Sequence, residues 1–254
     1  MNTQENNRQL CNTIESLIIK GNLNYLTELL DVITKHCDEK MLLQVNRILS
    51  KPQNLKLIIS KIVNTKKAFE KVLKNSYPHK NGFHKIVLLS GKYFKLRLHH
   101  FKSMKDAPME NIHDHRWIFA SSILYGELEM EIYEVNNQTN EGEELLHYKY
   151  NSNKSTGAYT TNLIGKTLLR PTQRVKLKAG KSYCMLPQYL HRILNKENAE
   201  TITLILTSKP TSYECNLFAK REINEEEKNI LTYSTEELSN HLQVLAEQLY
   251  PQNN

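Results

Sequence analysis

The chain has 254 residues, 39% hydrophobic and 24% charged, which is ordinary for a globular protein and allows a sizeable core in one or two domains. No apolar run approaches the roughly 18 residues of a membrane-spanning helix, and Met1 to Asn7 carries neither the basic nor the apolar part of a secretory signal. Cys11, Cys37, Cys184 and Cys215 form no CxxC pair, so a cytoplasmic location with free thiols is expected.

The net charge of +7 is unevenly spread. Between Lys51 and Lys105 stand thirteen lysines and Arg97 against one acid, Glu70; from Glu222 onward seven glutamates face one lysine, Lys228. A lysine-rich solvated helix face is the simplest source of the first excess. A polyanionic partner, or attraction between the two segments or to a neighbouring subunit, is the alternative, but no helix-turn-helix or aromatic RNA-binding signature supports nucleic acid.

In chain order, residues 1–76 read as a helical subdomain. Leu10, Ile14, Leu17 and Ile18 form one apolar stripe, closed by Gly21-Asn22. Leu26, Leu29, Leu30 and Ile33 form a second; Leu42, Val45, Ile48 and Leu49 form a third, broken by Ser50-Lys51-Pro52. A fourth helix runs from Leu55 to Leu73. None can bury its stripe alone, so they should pack together or on the next unit.

After the turn-rich stretch Ser76 to Gly82 the period changes to two. Strands are expected over 85–89, 93–99, 117–124, 128–135, 145–150, 158–162, 173–177, 182–185, 191–194 and 201–207. Many short strands with turn residues between them indicate a sandwich or jelly-roll barrel, here over 83–220. Residues 221–254 return to helix: Asn224 with Glu227, and Ser234 with Glu237, have capping-box spacing, and Leu238, Leu242, Leu245 and Leu249 form a docking stripe ended by Pro251.

Two histidine signals stand out within the barrel. His113-Asp114-His115 is followed by Gly126; Gly180 and Pro187 precede His191, and Asn195 follows it. On a strand, residues two apart face one side, so His113 and His115 can enter one cavity and His191 can complete a metal face with open positions. Three neutral imidazoles leave the full charge on a divalent ion, which favours an anionic chelating substrate. Iron(II) is the first choice; zinc, manganese, nickel and copper are compatible, because affinity alone does not select iron. Trp117 and Phe119 alternate with the histidines as an apolar wall or as core. Arg97 and His99 share a strand face suited to an anion, or lie at the surface. Tyr183 shares a face with Met185 shortly before His191 and is a candidate hydrogen-bond donor, whereas Cys184 alternates to the other side. His100, His147 and His241 show no partner.

These motifs resemble those of the cupin superfamily. His113, His115 and Gly126 fit its first motif, with Phe119 or Ala120 where a carboxylate ligand would stand; Gly180, Pro187, His191 and Asn195 fit the second, with Tyr189 or Leu190 replacing its inner glycine. Within that superfamily the chain looks like cysteine dioxygenase and related thiol dioxygenases, through Ile112 to His115, Ile123 to Glu129, and Leu190-His191-Arg192 with Asn195. The resemblance covers 83–210 and implies a jelly-roll barrel, iron(II) on three histidines, dioxygen as co-substrate, and a match of Lys85 to the arginine that holds the substrate carboxylate. The chain departs from the animal-type enzymes at their cross-linked pair: Ala120 replaces the cysteine, and Leu206-Thr207-Ser208 occupies the tyrosine region. Cysteine as substrate therefore does not carry over.

Three functions follow as expectations: a non-haem iron oxygenase acting on a small thiol or amino-acid derivative, a cupin isomerase or lyase using the metal as Lewis acid, and a non-catalytic ligand-binding barrel with a basic partner surface.

Overall fold

The structure is a computed structural model that describes residues 3–79, 82–102, 110–136, 141–152, 159–194, 199–223 and 232–249. Five helices come first: α1 (Thr3–Ile19), α2 (Leu23–His36), α3 (Glu39–Leu49), α4 (Pro52–Val63) and α5 (Lys66–Asn75). Their ends follow local chemistry. Gly21, at φ +63°, closes α1 as a Schellman motif, its N–H on Ile18 O (2.9 Å) and that of Asn22 on Leu17 O (3.0 Å). The carboxylate of Asp38 caps α3 by accepting the Met41 N–H at 2.8 Å. The single fourth helix expected from the stripe is two, because Asn64 and Thr65 interrupt it. The Asn64 side chain donates back to Ser60 O (2.9 Å), a local bond that competes with helix continuation.

Twelve strands follow: β1 (Tyr77–His79), β2 (Phe83–Ser90), β3 (Lys95–Phe101), β4 (Ile112–His113), β5 (Phe119–Tyr125), β6 (Glu127–Val135), β7 (Glu143–Ser152), β8 (Tyr159–Lys178), β9 (Ser182–Met185), β10 (Leu190–Ile193), β11 (Thr201–Thr207) and β12 (Glu214–Ala219). The helix α6 (Thr235–Leu249) comes last. From β3 to β6 and again from β8 to β12 the chain alternates between two antiparallel sheets. One has the order β1-β2-β3-β11-β5-β9; the other, β10-β4-β12-β7-β8-β6, closes on itself because β10 also pairs with β6. The fold is α+β: a jelly-roll barrel with helical flanks.

Alternation along the strands divides the core. Outward-facing Ile86, Leu88, Leu96, Leu98, Leu204 and Leu206 of the first sheet join the helical stripes, including Leu238, Leu242 and Leu245 of α6, in one cluster. Burying an aliphatic side chain of this size contributes about 1.5–3 kcal/mol, so packing as well as chain connection holds the helices on the sheet. Between the sheets lies a second cluster built on Phe83, Phe101, Phe119, Ile123, Leu128, Met130 and Met185.

Two strand expectations are corrected. From Tyr159 onward the two strands expected at 158–162 and 173–177 are one 20-residue strand; Gly165 and Pro171 stand where the register slips against His147/Tyr148 and Ile132/Tyr133. Both are bulge positions, where a strand tolerates these residues. The strand β12 shows no clean alternation in sequence and was not expected. The Ser234–Glu237 capping box is formed in both directions (2.7 and 3.1 Å), whereas Asn195, the Asn224–Glu227 pair and Pro251 lie outside the described residues.

Candidate metal centre

His113 and His191 are direct cross-strand partners between β4 and β10. His115 follows two residues on, and the three ring centroids stand 4.7, 4.9 and 5.0 Å apart. One nitrogen from each ring lies within 4.8 Å of the others. The expectation that the whole His113-Asp114-His115 run is strand is corrected. The strand β4 ends at His113, and the next N–H groups leave the ladder: that of Asp114 donates to Asn216 O (3.2 Å) and that of His115 to Pro187 O (3.2 Å). The turn brings His115 back toward its neighbour, and it ties the first histidine motif to the proline of the second.

The bonds around the rings favour a metal. His113 Nδ1 faces Asn111 O at 2.9 Å and His191 Nδ1 faces Tyr189 O at 3.3 Å. A carbonyl only accepts, so each Nδ1 carries the proton and each Nε2 keeps its lone pair, the arrangement usual for metal-bound imidazole. Burial, with the neighbouring rings, depresses His191 to about 3 and His115 well below its ordinary value. Both rings are thus neutral donors at physiological pH. The residues present fit a divalent ion.

Asp114 holds the turn. Its carboxylate accepts from the Asn216 backbone N–H (2.6 Å) and from the Asn216 side-chain amide (2.5 Å), and burial raises its pKa despite these bonds. Sequence reasoning missed Asn216, because β12 itself was not recognised.

The remaining candidates gather on the inner face of the first sheet. Phe119 is buried, 4.8 Å from the His115 ring, and Trp117 stacks on His115 at 6.0 Å. Trp117 precedes β5 instead of lying in it. The Arg97 guanidinium lies over the Trp117 ring, 5.1 Å from its centroid, and Arg116, which sequence reasoning missed, lies over the same ring at 4.9 Å. Arg97 is buried, not at the surface; register runs Arg97–Ile205–Ser121–Tyr183 across β3, β11, β5 and β9. A parallel row runs Lys85–His99–Thr203. Lys85 donates to the Tyr77 hydroxyl at 2.8 Å; burial and then the charges of Arg97, Lys95 and Arg116 push its pKa well down. His99 is depressed by burial and by Lys85 and Arg97, and its Nε2 is buried with no hydrogen-bond partner among the described residues. Tyr183 packs edge-on to Phe119 at 5.9 Å, and burial keeps its hydroxyl protonated. The lysine-rich stretch therefore divides: Lys56, Lys61, Lys66, Lys67, Lys71 and Lys74 are exposed on α4 and α5, while Lys85 and Arg97 turn inward.

No protein-family model and no curated protein matches the chain. Among solved structures it is similar to hydroquinone 1,2-dioxygenase PnpCD, crystallised with Cd2+ and 4-hydroxybenzonitrile (16% identity over 56% of this chain and 71% of that one, TM-score 0.33). It is also similar to a RmlC-like cupin from Shewanella frigidimarina (15%, 52% and 80%, TM-score 0.30). A third likeness is to hydroxypropylphosphonic acid epoxidase from S. wedmorenis in complex with fosfomycin (12%, TM-score 0.31), of which the chain spans about half the length. The architecture is the jelly-roll barrel described above, and what the site does is read from its own residues.

Proposed function

We propose that this protein is a metal-dependent oxidoreductase of the dioxygenase type, acting on a small anionic metabolite such as a thiol or amino-acid derivative, with iron(II) on His113, His115 and His191. The observation that carries this reading is the convergence of three imidazoles, two of them fixed by backbone carbonyls in the tautomer a cation requires. When bound, the ion supplies Lewis acidity and open positions that hold substrate and dioxygen together.

The chain's own residues supply orientation and charge. Arg97, with Lys85 and His99 beside it, takes the anionic end of the substrate; in a buried setting such charge-assisted bonds are strong and directional. Trp117 and Phe119 pack against His115 and exclude water on that side. Tyr183, at the far end of the Arg97 row, keeps its proton and serves as a donor to substrate oxygen or sulfur.

Elemental analysis of anaerobically purified protein tests the centre: near-stoichiometric iron is expected, and loss of metal in His191→Ala with the fold retained. Oxygen uptake with a panel of small thiols and amino acids tests the reaction. Turnover without oxygen would replace the oxygenase with a Lewis-acid isomerase or lyase, and protein that takes up no transition ion would remove both.

A further inference from the structure

A second group of histidines lies on the opposite face of the first sheet, under the C-terminal helix. His84 and His100 are register partners on β2 and β3, and both face outward. His241 descends from α6 between them, 4.3 Å from the His84 ring and 5.1 Å from the His100 ring, centroid to centroid. His100 Nδ1 meets His241 Nε2 at 3.0 Å, and His100 Nε2 meets the Glu200 carboxylate. His84 Nδ1 meets the Tyr233 hydroxyl, and Gln248 of α6 donates to the other oxygen of Glu200. Among the described residues, α6 makes its polar bonds to other elements through His241, to His100, and through Gln248, to Glu200.

Proton bookkeeping limits what the cluster can hold. Glu200 only accepts, so His100 Nε2 carries a proton. Its Nδ1 and His241 Nε2 then share one proton between them; a second would set two N–H groups head-on at 3.0 Å. The His84 ring is too close to His241 for both to be cationic without repulsion, and Lys102 adds a further positive charge. The other charged or titratable groups facing the cluster are Glu200, Tyr233 and, at the start of α6, Glu237. Glu200 can balance one protonated ring, not three.

From this arrangement we infer that His84, His100 and His241 form an acid-released latch, which holds α6 on the barrel while the rings are neutral and lets it go as they are protonated. Burial first, then neighbouring positive charge, depresses His84 to about 4 and His241 to about 3; burial lowers His100 as well, against the opposing pull of Glu200. A depressed histidine stabilises the closed form fully above the free-ring value of about 6.5, and that stability drains away as pH falls toward the folded value. Beyond the proton each neutral ring already carries, the closed latch accepts at most one and the open one three, so opening takes up at least two. Release uncovers Leu238, Leu242 and Leu245 while the barrel stays closed.

Hydrogen–deuterium exchange of the full chain, followed from pH 7.5 to 5.0 and corrected for intrinsic exchange, tests this. The opening constant for residues 235–249 should rise about 100-fold per pH unit below about 6.5, as two protons require, while 201–207 in β11 stays protected. In His100→Asn/His241→Gln, which keeps polar neutral groups, the rise should fall to about tenfold or less per unit. Equal loss of protection in α6 and β11, or an unchanged slope in the double variant, overturns the proposal. Should the variant not fold, imidazole NMR of the wild type decides: rings of His84 and His241 titrating near 6.5 while α6 remains protected would also overturn it.

Discussion

Asp114 stands between two of the three converging histidines and commits its carboxylate to the neighbouring strand β12. Its two oxygens are spent on Asn216, so the turn that returns His115 toward His113 depends on one carboxylate in β4's wake and one amide in β12. Asp114→Ala should therefore fold but bind its ion about 10–100-fold more weakly, as loss of an outer-shell partner typically does; competition with a chromogenic chelator reads this directly. Gly126 is a second single-residue constraint. At φ +74°, an added Cβ would lie 2.0 Å from the Glu200 carbonyl oxygen, a backbone atom that cannot step aside. Gly126→Ala should cost about 3 kcal/mol or more, read as a lowered urea midpoint. At this scale the sequence was most informative where one residue type has one use: paired histidines and a motif glycine. It was silent about Asn111 and Tyr189, which act through backbone carbonyls that any residue could supply.

Among the elements, the helices and the first sheet make one core, so α6 is anchored by packing as well as by its polar contacts. Leu242 is fully buried in that cluster. Leu242→Ala should destabilise the protein by about 2–5 kcal/mol, measured by equilibrium unfolding. Ser234→Ala, which removes the capping box at the helix start, should cost about 1 kcal/mol. Helix stripes and the alternating strands β2, β3, β5, β6 and β11 were legible because burial on one face writes a period into the sequence. The two bulges of β8 conceal its continuity, since Gly165 and Pro171 look like strand ends until a partner strand shows the extra residues. His84, His100 and His241 were illegible for another reason: no periodicity links β2, β3 and α6, which meet only in the folded chain.

For the whole molecule, the placement of charge is the informative feature. The lysines of α4 and α5 stay in solvent, while Lys85 and Arg97 are drawn into the barrel beside His99. Stability should fall as pH drops below about 6.5, because His84, His191 and His241 have folded values of about 4, 3 and 3 and bind protons more readily when unfolded. Urea midpoints of the metal-free protein between pH 7.5 and 4.5 should show this decline. Among the described residues no helix is long and apolar enough to cross a membrane.

The ring of the second sheet is not equally strong all the way round. Strand β10 meets β6 over four residue pairs but meets β4 through one, His191 opposite His113. The narrowest seam of the barrel thus runs through two of the proposed ligands, and an ion gripped by both rings would rivet it. Cation supply would then govern how tightly the wall is stitched: at one hundred times its Kd, a native-state ligand adds about 2.7 kcal/mol. Melting temperature should climb with free iron or zinc, and the amides flanking that junction should be the ones that slow.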